Sequence, residues 1–277
     1  MVTLYALYLN CADTLSEHGI ENARFEAREL TRFAFGYSLE EFLREKQRIV
    51  EETALDNLVC RRVQGEPLAH IIGEWDFYGL TLTVTPDVLV PRSDTEVLVD
   101  TALKLPGTRF LDLCTGSGCV GIALAHERSE LFGVLLDNSE AALEIAWKNV
   151  KQHRLESQLS AVLGDVCHAP EKELGKFDFI VSNPPYITLQ EMQELDVSVG
   201  FFEPTAALYG GVDGFTFYDA ILNRWLETLN PGGAIAFECG YRQARDLAER
   251  MQGVGLSNIE IIADTAGIER VVLGFRN

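Results

Sequence analysis

Nowhere in the chain do two cysteines stand as Cys-x-x-Cys, and no histidine cluster accompanies any of the six, Cys11, Cys60, Cys114, Cys119, Cys167 and Cys239. That argues against the common zinc frameworks, and no metal is expected. Most of these cysteines lie in apolar runs, where a free thiol acts as a small core hydrophobe in a reducing compartment. No stretch approaches the roughly 18 uninterrupted apolar residues of a membrane-spanning helix. The first residues, Met1-Val2-Thr3-Leu4-Tyr5, lack a basic region followed by a long apolar core, so no secretory signal is expected. Internal repeats and low-complexity tracts are absent as well. Basic residues are scarce: 23 Lys and Arg stand against 42 Asp and Glu, a net charge of −19. A protein that grips nucleic acid mainly through phosphates needs a basic surface, so no direct nucleic-acid partner is expected. The acidic balance fits simple solubility, or a basic partner. The expectation is a cytoplasmic, monomeric protein with no membrane attachment.

What is present centres on Val181-Ser182-Asn183-Pro184-Pro185-Tyr186-Ile187. Upstream, Phe177-Asp178-Phe179-Ile180-Val181 is a short apolar run of the kind that forms a buried parallel strand. Two prolines end it abruptly, because neither donates to a ladder and the first pushes Asn183 out of helical geometry. The product is a stiff turn at the carboxyl end of a strand, the edge where open α/β sheets bind ligands. Asn183 offers an amide oxygen and an amide donor. The Pro184 carbonyl is a second acceptor, held by Pro185, and Tyr186 supplies a flat face. Two acceptors and a stacking face match a planar NH2 group, either a carboxamide or an exocyclic base amine. A purely structural strand stop accounts for the tetrapeptide equally simply on its own.

A βαβ unit precedes this turn. Thr108 to Leu113 reads as a strand, and Asp112-Leu113-Cys114-Thr115-Gly116-Ser117-Gly118 as a glycine-rich turn. Val120 to His126 opens a helix, Phe132 to Leu136 is a second strand ending in Asp137, and Asn138-Ser139 caps the next helix. A third strand near Ser160 to Leu163 ends in Gly164-Asp165. Such alternation predicts an α/β fold with a parallel sheet and right-handed crossovers. Asp137 is placed to accept from both hydroxyls of a ribose, and Asp165 from an adenine amine. By itself the unit fits two ligands. Gly116-x-Gly118-x-x-Gly121 satisfies the dinucleotide fingerprint, with Asp137 about 20 residues on. Against a dinucleotide, the Asp112 carboxylate would sit unfavourably beside a diphosphate, and it suits a ligand's ammonium group instead.

The flanking segments read differently. Residues 1 to about 63 carry helical periodicity, with Leu4, Tyr8, Ala12 and Leu15, then Phe25, Leu30, Phe33 and Ala34, and a capping-box pattern at Ser38 and Glu41. From Gly73 to Val90 the pattern becomes aromatic and β-branched around Gly79, which predicts a hairpin. After Pro91-Arg92, Ser93 and Glu96 form a second capping-box pattern, with a helix to about Lys104. Arg92 could meet an anion or pair internally with Glu96. Beyond Tyr186 the chain is irregular around Gly210-Gly211-Val212-Asp213-Gly214. It then yields a helix from Phe215 to Leu229, a strand from Ala234 to Cys239, a helix from Gln243 to Met251, and strands near Ile259 to Ile262 and Val271 to Phe275.

Gly65-Glu66-Pro67, Phe77-Tyr78-Gly79, Pro91-Arg92-x-Asp94-Thr95-Glu96, the Asp112 glycine loop, Asn183-Pro184-Pro185-Tyr186-Ile187 and Asp264-x-x-Gly267-x-x-Arg270 stand in one order. In that order the chain resembles the HemK/PrmC family, methyltransferases acting on the glutamine of the Gly-Gly-Gln motif of peptide-chain release factors. Cys114 stands where that family often has glycine, Ser93 where it has proline, and His70 where it has tyrosine. The resemblance implies a class I, Rossmann-like, seven-stranded S-adenosylmethionine-dependent methyltransferase domain over 91–277. A small helical bundle over 1–72, for partner recognition, would join it through a β-hairpin over 73–90. It implies that Asp112, Cys114, Thr115, Gly116, Ser117, Gly118, Asp137, Asp165, Val166 and Asn183 hold S-adenosylmethionine and its product S-adenosylhomocysteine. Asn183, Pro184, Pro185 and Tyr186 would carry the glutamine. The tetrapeptide is shared with adenine methyltransferases, so N6 methylation of adenine in DNA or RNA is the alternative activity. A non-catalytic module docking through the helical bundle is a third reading.

Overall fold

A computed structural model describes the backbone of residues 1–277 and every side chain except that of Val197. The chain divides into two compact units, Met1–Gly73 with Val197–Phe202, and Glu74–Asp196 with Glu203–Asn277.

The first unit contains β1 (Val2–Thr3), α1 (Leu4–Glu17), α2 (Ala23–Phe35), α3 (Leu39–Arg44), β2 (Ile49–Val50), α4 (Asp56–Val63), α5 (Leu68–Ile72) and the short α9 (Val197–Gly200). Leu4, Leu7, Leu15 and Leu30 are buried at its centre. The capping box forms as the sequence predicts: Ser38 Oγ accepts from the Glu41 N–H at 3.1 Å, and Glu41 Oε2 accepts from the Ser38 N–H at 2.8 Å. Helix α2 is turned relative to the expected apolar face. Its buried residues are Ala23, Ala27, Leu30 and Thr31, while Phe25 and Phe33 are exposed. The antiparallel pair of β1 with β2, Val2 opposite Val50, is too short to leave a periodic signal.

The second unit begins with the hairpin β3 (Glu74–Phe77) and β4 (Leu80–Thr83). Its two loop residues, Tyr78 and Gly79, both have positive φ, the conformation that matches strand twist in a two-residue hairpin. There follow α6 (Glu96–Ala102), β5 (Arg109–Leu113), α7 (Cys119–Glu127), β6 (Phe132–Asp137), α8 (Glu140–Gln152), β7 (Leu159–Leu163) and β8 (Phe177–Ser182). The chain continues through α10 (Thr205–Leu208), α11 (Thr216–Arg224), β9 (Leu229–Glu238), α12 (Ala244–Gly253), β10 (Leu256–Ala263) and β11 (Glu269–Arg276). Seven strands form one sheet in the order β10-β11-β9-β8-β5-β6-β7. Strands β5 to β9 are parallel to one another; β11 runs antiparallel to β9 and β10.

Both faces are covered by apolar side chains. One core joins Phe77, Leu82, Leu98, Phe110, Ile122 and Phe179; the other joins Leu111, Ile180, Tyr218, Trp225, Phe237 and Leu247. The hairpin therefore contributes Phe77, Leu80 and Leu82 to the core of the second unit.

Two local expectations fail for identifiable reasons. No capping box forms at Ser93. Residues Ser93–Thr95 make a 3-10 turn, α6 starts at Glu96, and Glu96 Oε1 accepts the Tyr78 N–H at 3.0 Å instead. The segment before Ala234 is not a helix end. Helix α11 stops at Arg224, and β9 already starts at Leu229. Between the pairs Phe177 with Leu229 and Phe179 with Ala234 the register shifts, so Asn230-Pro231-Gly232-Gly233 is accommodated in a bulge. That is where a strand tolerates proline and glycine.

Candidate active site

Strand order reverses at β5, with β6 and β7 on one side and β8 and β9 on the other. Ligands of open α/β sheets bind outside the carboxyl ends at such a switch point. Parallel pairing sets Leu113 beside Ser182, and the Ser182 hydroxyl donates to the Leu113 carbonyl at 2.8 Å. The glycine turn after β5 and the Asn-Pro-Pro-Tyr turn after β8 are thus neighbours by register.

A cavity opens there. It is lined by Asp112, Cys114, Thr115, Gly116 and Ser117 from the glycine turn, by Asp137 after β6, by Val166 after β7, and by Asn183 and Pro185. Gly118, Pro184, Tyr186 and Asp165 do not line it. Gly118 instead caps α7 at φ +82°, where an added Cβ would stand 2.9 Å from Ile122 and 3.2 Å from Ala146. Pro184 is buried. Tyr186 is half-buried against the second core, and burial raises its phenol pKa. The Asp165 Oδ1 accepts the Cys167 N–H at 2.8 Å, and its neighbours Gly164 and Val166 line the cavity.

The acids show how the site is held. Asp112 is 2% exposed. Its Oδ2 accepts from the Thr115 hydroxyl at 2.6 Å and from the Gly121 N–H at 3.0 Å. Among the described residues no donor meets its Oδ1. Burial pushes its pKa up to about 7, against those two hydrogen bonds. Asp137 Oδ2 accepts the Gly116 N–H at 2.9 Å and Oδ1 the Ser139 N–H at 3.0 Å. It therefore ties the glycine turn to the end of β6, and burial raises its pKa too. Ser139 caps α8 by accepting from the Ala142 N–H, as the sequence predicts. Cys114 sits at φ +59°, a conformation that favours glycine and strains a residue with a Cβ. Burial raises the thiol pKa of Cys114, and pushes that of Cys119 up to about 12, so neither is a ready thiolate.

Sequence reasoning missed several contributors. Arg92, which the sequence did mark, lines the cavity, but its partner was missed: it pairs with Glu203 at 2.5 Å, not with Glu96. Thr95 lines it and accepts the Asn183 Nδ2–H at 3.2 Å through its Oγ1. Val88, Leu89, Val120, Leu136 and Phe217 add apolar wall. Gly210 and Gly240 press on the Asn-Pro-Pro-Tyr turn. A Cβ at 210 would stand 2.6 Å from the Pro185 oxygen, and one at 240 would stand 2.9 Å from Tyr186. The only sequence signal for Gly210 was a cluster of glycines in an irregular stretch, and Gly240 had none. Among the described residues no group of three or more His, Cys, Asp or Glu is arranged to hold a metal. No helix among the described residues is long and apolar enough to cross a membrane.

The donor set suits S-adenosylmethionine. A buried acid with a free oxygen suits an ammonium group and opposes a diphosphate, a second acid suits a diol, and the apolar wall suits a flat base. At Gly116, φ +55°, a Cβ would meet no protein atom within 4 Å, so the turn leaves open space on the cavity side. Fold and site together define a class I S-adenosylmethionine-dependent methyltransferase.

Residues 92–208 match the family described as methyltransferase small domain, and residues 7–73 match the PrmC N-terminal domain. The release factor glutamine methyltransferase of Geobacter sulfurreducens is 38% identical over 94% of this chain and 92% of its own length. That of Nitratidesulfovibrio vulgaris is 34% identical over 99% and 96%. A methyltransferase from Pyrococcus furiosus shares the fold, with a TM-score of 0.55 at 19% identity over 80% of this chain and 99% of its own. The chain belongs to the release factor glutamine methyltransferase family.

Proposed function

We propose that this enzyme methylates the side-chain amide nitrogen of the glutamine in the Gly-Gly-Gln motif of peptide-chain release factors. Support comes from the relatives' shared name and from one observation: Asn183 and the Asp112 glycine turn line a single cavity. When bound, S-adenosylmethionine supplies an electrophilic methyl group on a sulfonium. Asp112 holds its ammonium, Asp137 its ribose, and the turn from Cys114 to Ser117 its amino-acid end.

An amide nitrogen is a poor nucleophile, because its lone pair is delocalised into the carbonyl. Orientation is therefore the protein's main task. Asn183 donates through Nδ2 to Thr95, which leaves Oδ1 as an acceptor for a substrate NH2 group. The Pro184 carbonyl is the second acceptor, and the two proline rings keep it fixed. Hydrogen bonds to both aim the nitrogen lone pair and favour its pyramidalisation, a preorganised electrostatic effect. Tyr186 packs beside the substrate side chain. No strong base is needed before transfer, since methylation itself makes the departing proton acidic. The first unit, matching the PrmC N-terminal domain, recognises the release factor.

The test is methyl transfer from labelled S-adenosylmethionine to a release factor, repeated with the motif glutamine changed. Label should appear only on the first. Equal labelling of both, or labelling of DNA or RNA instead, overturns the reading.

A further inference from the structure

Glu238 ends β9, and pairing of Ser182 with Phe237 sets it beside Asn183. It is 2% exposed, and its Oε2 is buried with no hydrogen-bond partner. Burial pushes its pKa up to about 7, and the neighbouring side chains of Thr95 and Asn183 act the other way. The main chain is fixed as well, since the buried Tyr218 hydroxyl donates to the Glu238 carbonyl at 2.8 Å. Thr95, equally buried, sits in the 3-10 turn that Arg270 holds from behind through Asp94 at 2.7 Å.

A buried carboxyl with an idle oxygen is a poor stabiliser of a fold. Its chemistry does suit one job. Once ionised, the carboxylate only accepts, so an asparagine amide facing it presents its NH2 side and turns its oxygen away. We propose that Glu238 is a positioning residue: with Thr95 it fixes the Asn183 carboxamide so that Nδ2 points inward and Oδ1 is held out as the substrate's acceptor. This rests on the substrate role of Asn183 proposed above. Arg270 bridges Asp94 and Asp264, and so fixes the turn that carries Thr95.

Glu238→Gln tests it. Glutamine keeps the shape but offers donor and acceptor alike, so Asn183 can sit either way round. Turnover of a release factor should fall about tenfold or more, with cofactor Kd changed by less than about threefold, because the lesion is one of orientation. In an Asn183→Ala background the same change should add almost nothing, since the group it positions is gone. Thr95→Val gives an independent second lesion of the same kind. A Glu238→Gln enzyme with near wild-type turnover, or losses that multiply fully in the double variant, overturns the proposal.

A spectroscopic arm does not need the substrate. The Asn183 side-chain NH2 pair, identified as the pair missing in Asn183→Asp, should be shifted and protected in the wild type and lose both features in Glu238→Gln. An unchanged pair overturns the proposal. Wild-type protein that methylates no release factor refutes the proposed substrate instead, and leaves the amide spectra to decide the role of Glu238.

Discussion

The Gly121 N–H donates to Asp112 Oδ2 at 3.0 Å, and a Cβ built on Gly121 would stand 3.0 Å from that same oxygen and 2.2 Å from Leu135. One glycine thus lets α7 approach β6 and satisfies the buried acid. Leu135 is fully buried and has no room to retreat. Gly121→Ala should destabilise the protein by about 1–3 kcal/mol, the usual range for overpacking a core. Thermal denaturation reads it, and cofactor affinity should fall with it.

Asp112 carries a pH signature. Its pKa is pushed up to about 7 in the folded protein from an ordinary 3.8. Because the folded value is the higher, its proton favours the fold below about pH 4, and that contribution is lost as pH rises through about 7. A cationic ligand group favours the ionised acid. Cofactor affinity should therefore rise with pH up to about 7 and then level off, with a proton released on binding near neutrality. Calorimetry in buffers of different ionisation enthalpy measures the release. Asp112→Asn should abolish it and weaken binding about tenfold or more, the scale of a hydrogen bond to a charged group.

Asn183→Ala should retain cofactor affinity and lose most turnover. The side chain orients the acceptor nitrogen, and misplacement by about 1 Å can cost on the order of 100-fold in rate. Single-turnover transfer at saturating cofactor separates the two quantities. Turnover near the wild-type rate would refute the proposed role.

Gly210→Ala would put a methyl group against the Pro185 oxygen and Tyr186 Cα, both 2.6 Å away. These are backbone atoms, so the turn itself must shift. The expected outcome is a fall in methyl transfer of about tenfold or more, well beyond any change in cofactor Kd, because the displaced atoms adjoin Asn183. Parallel turnover and binding measurements check it.

The sequence by itself determined the parallel sheet, the capping of α3 and α8, and the two turns that bound the cavity, since strand runs, caps and prolines act through local sterics and short hydrogen bonds. It also marked Asp112, Asp137 and Asn183, because an acid or amide at a strand end is legible from spacing alone. Only the tertiary structure decided what those groups touch. Arg92 pairs with Glu203, 111 residues on. Thr95 meets Asn183 across 88 residues. Gly210 proves tight because Pro185 is against it. The packed sheet brings the loops at its edge together, and no window of neighbouring residues contains that arrangement.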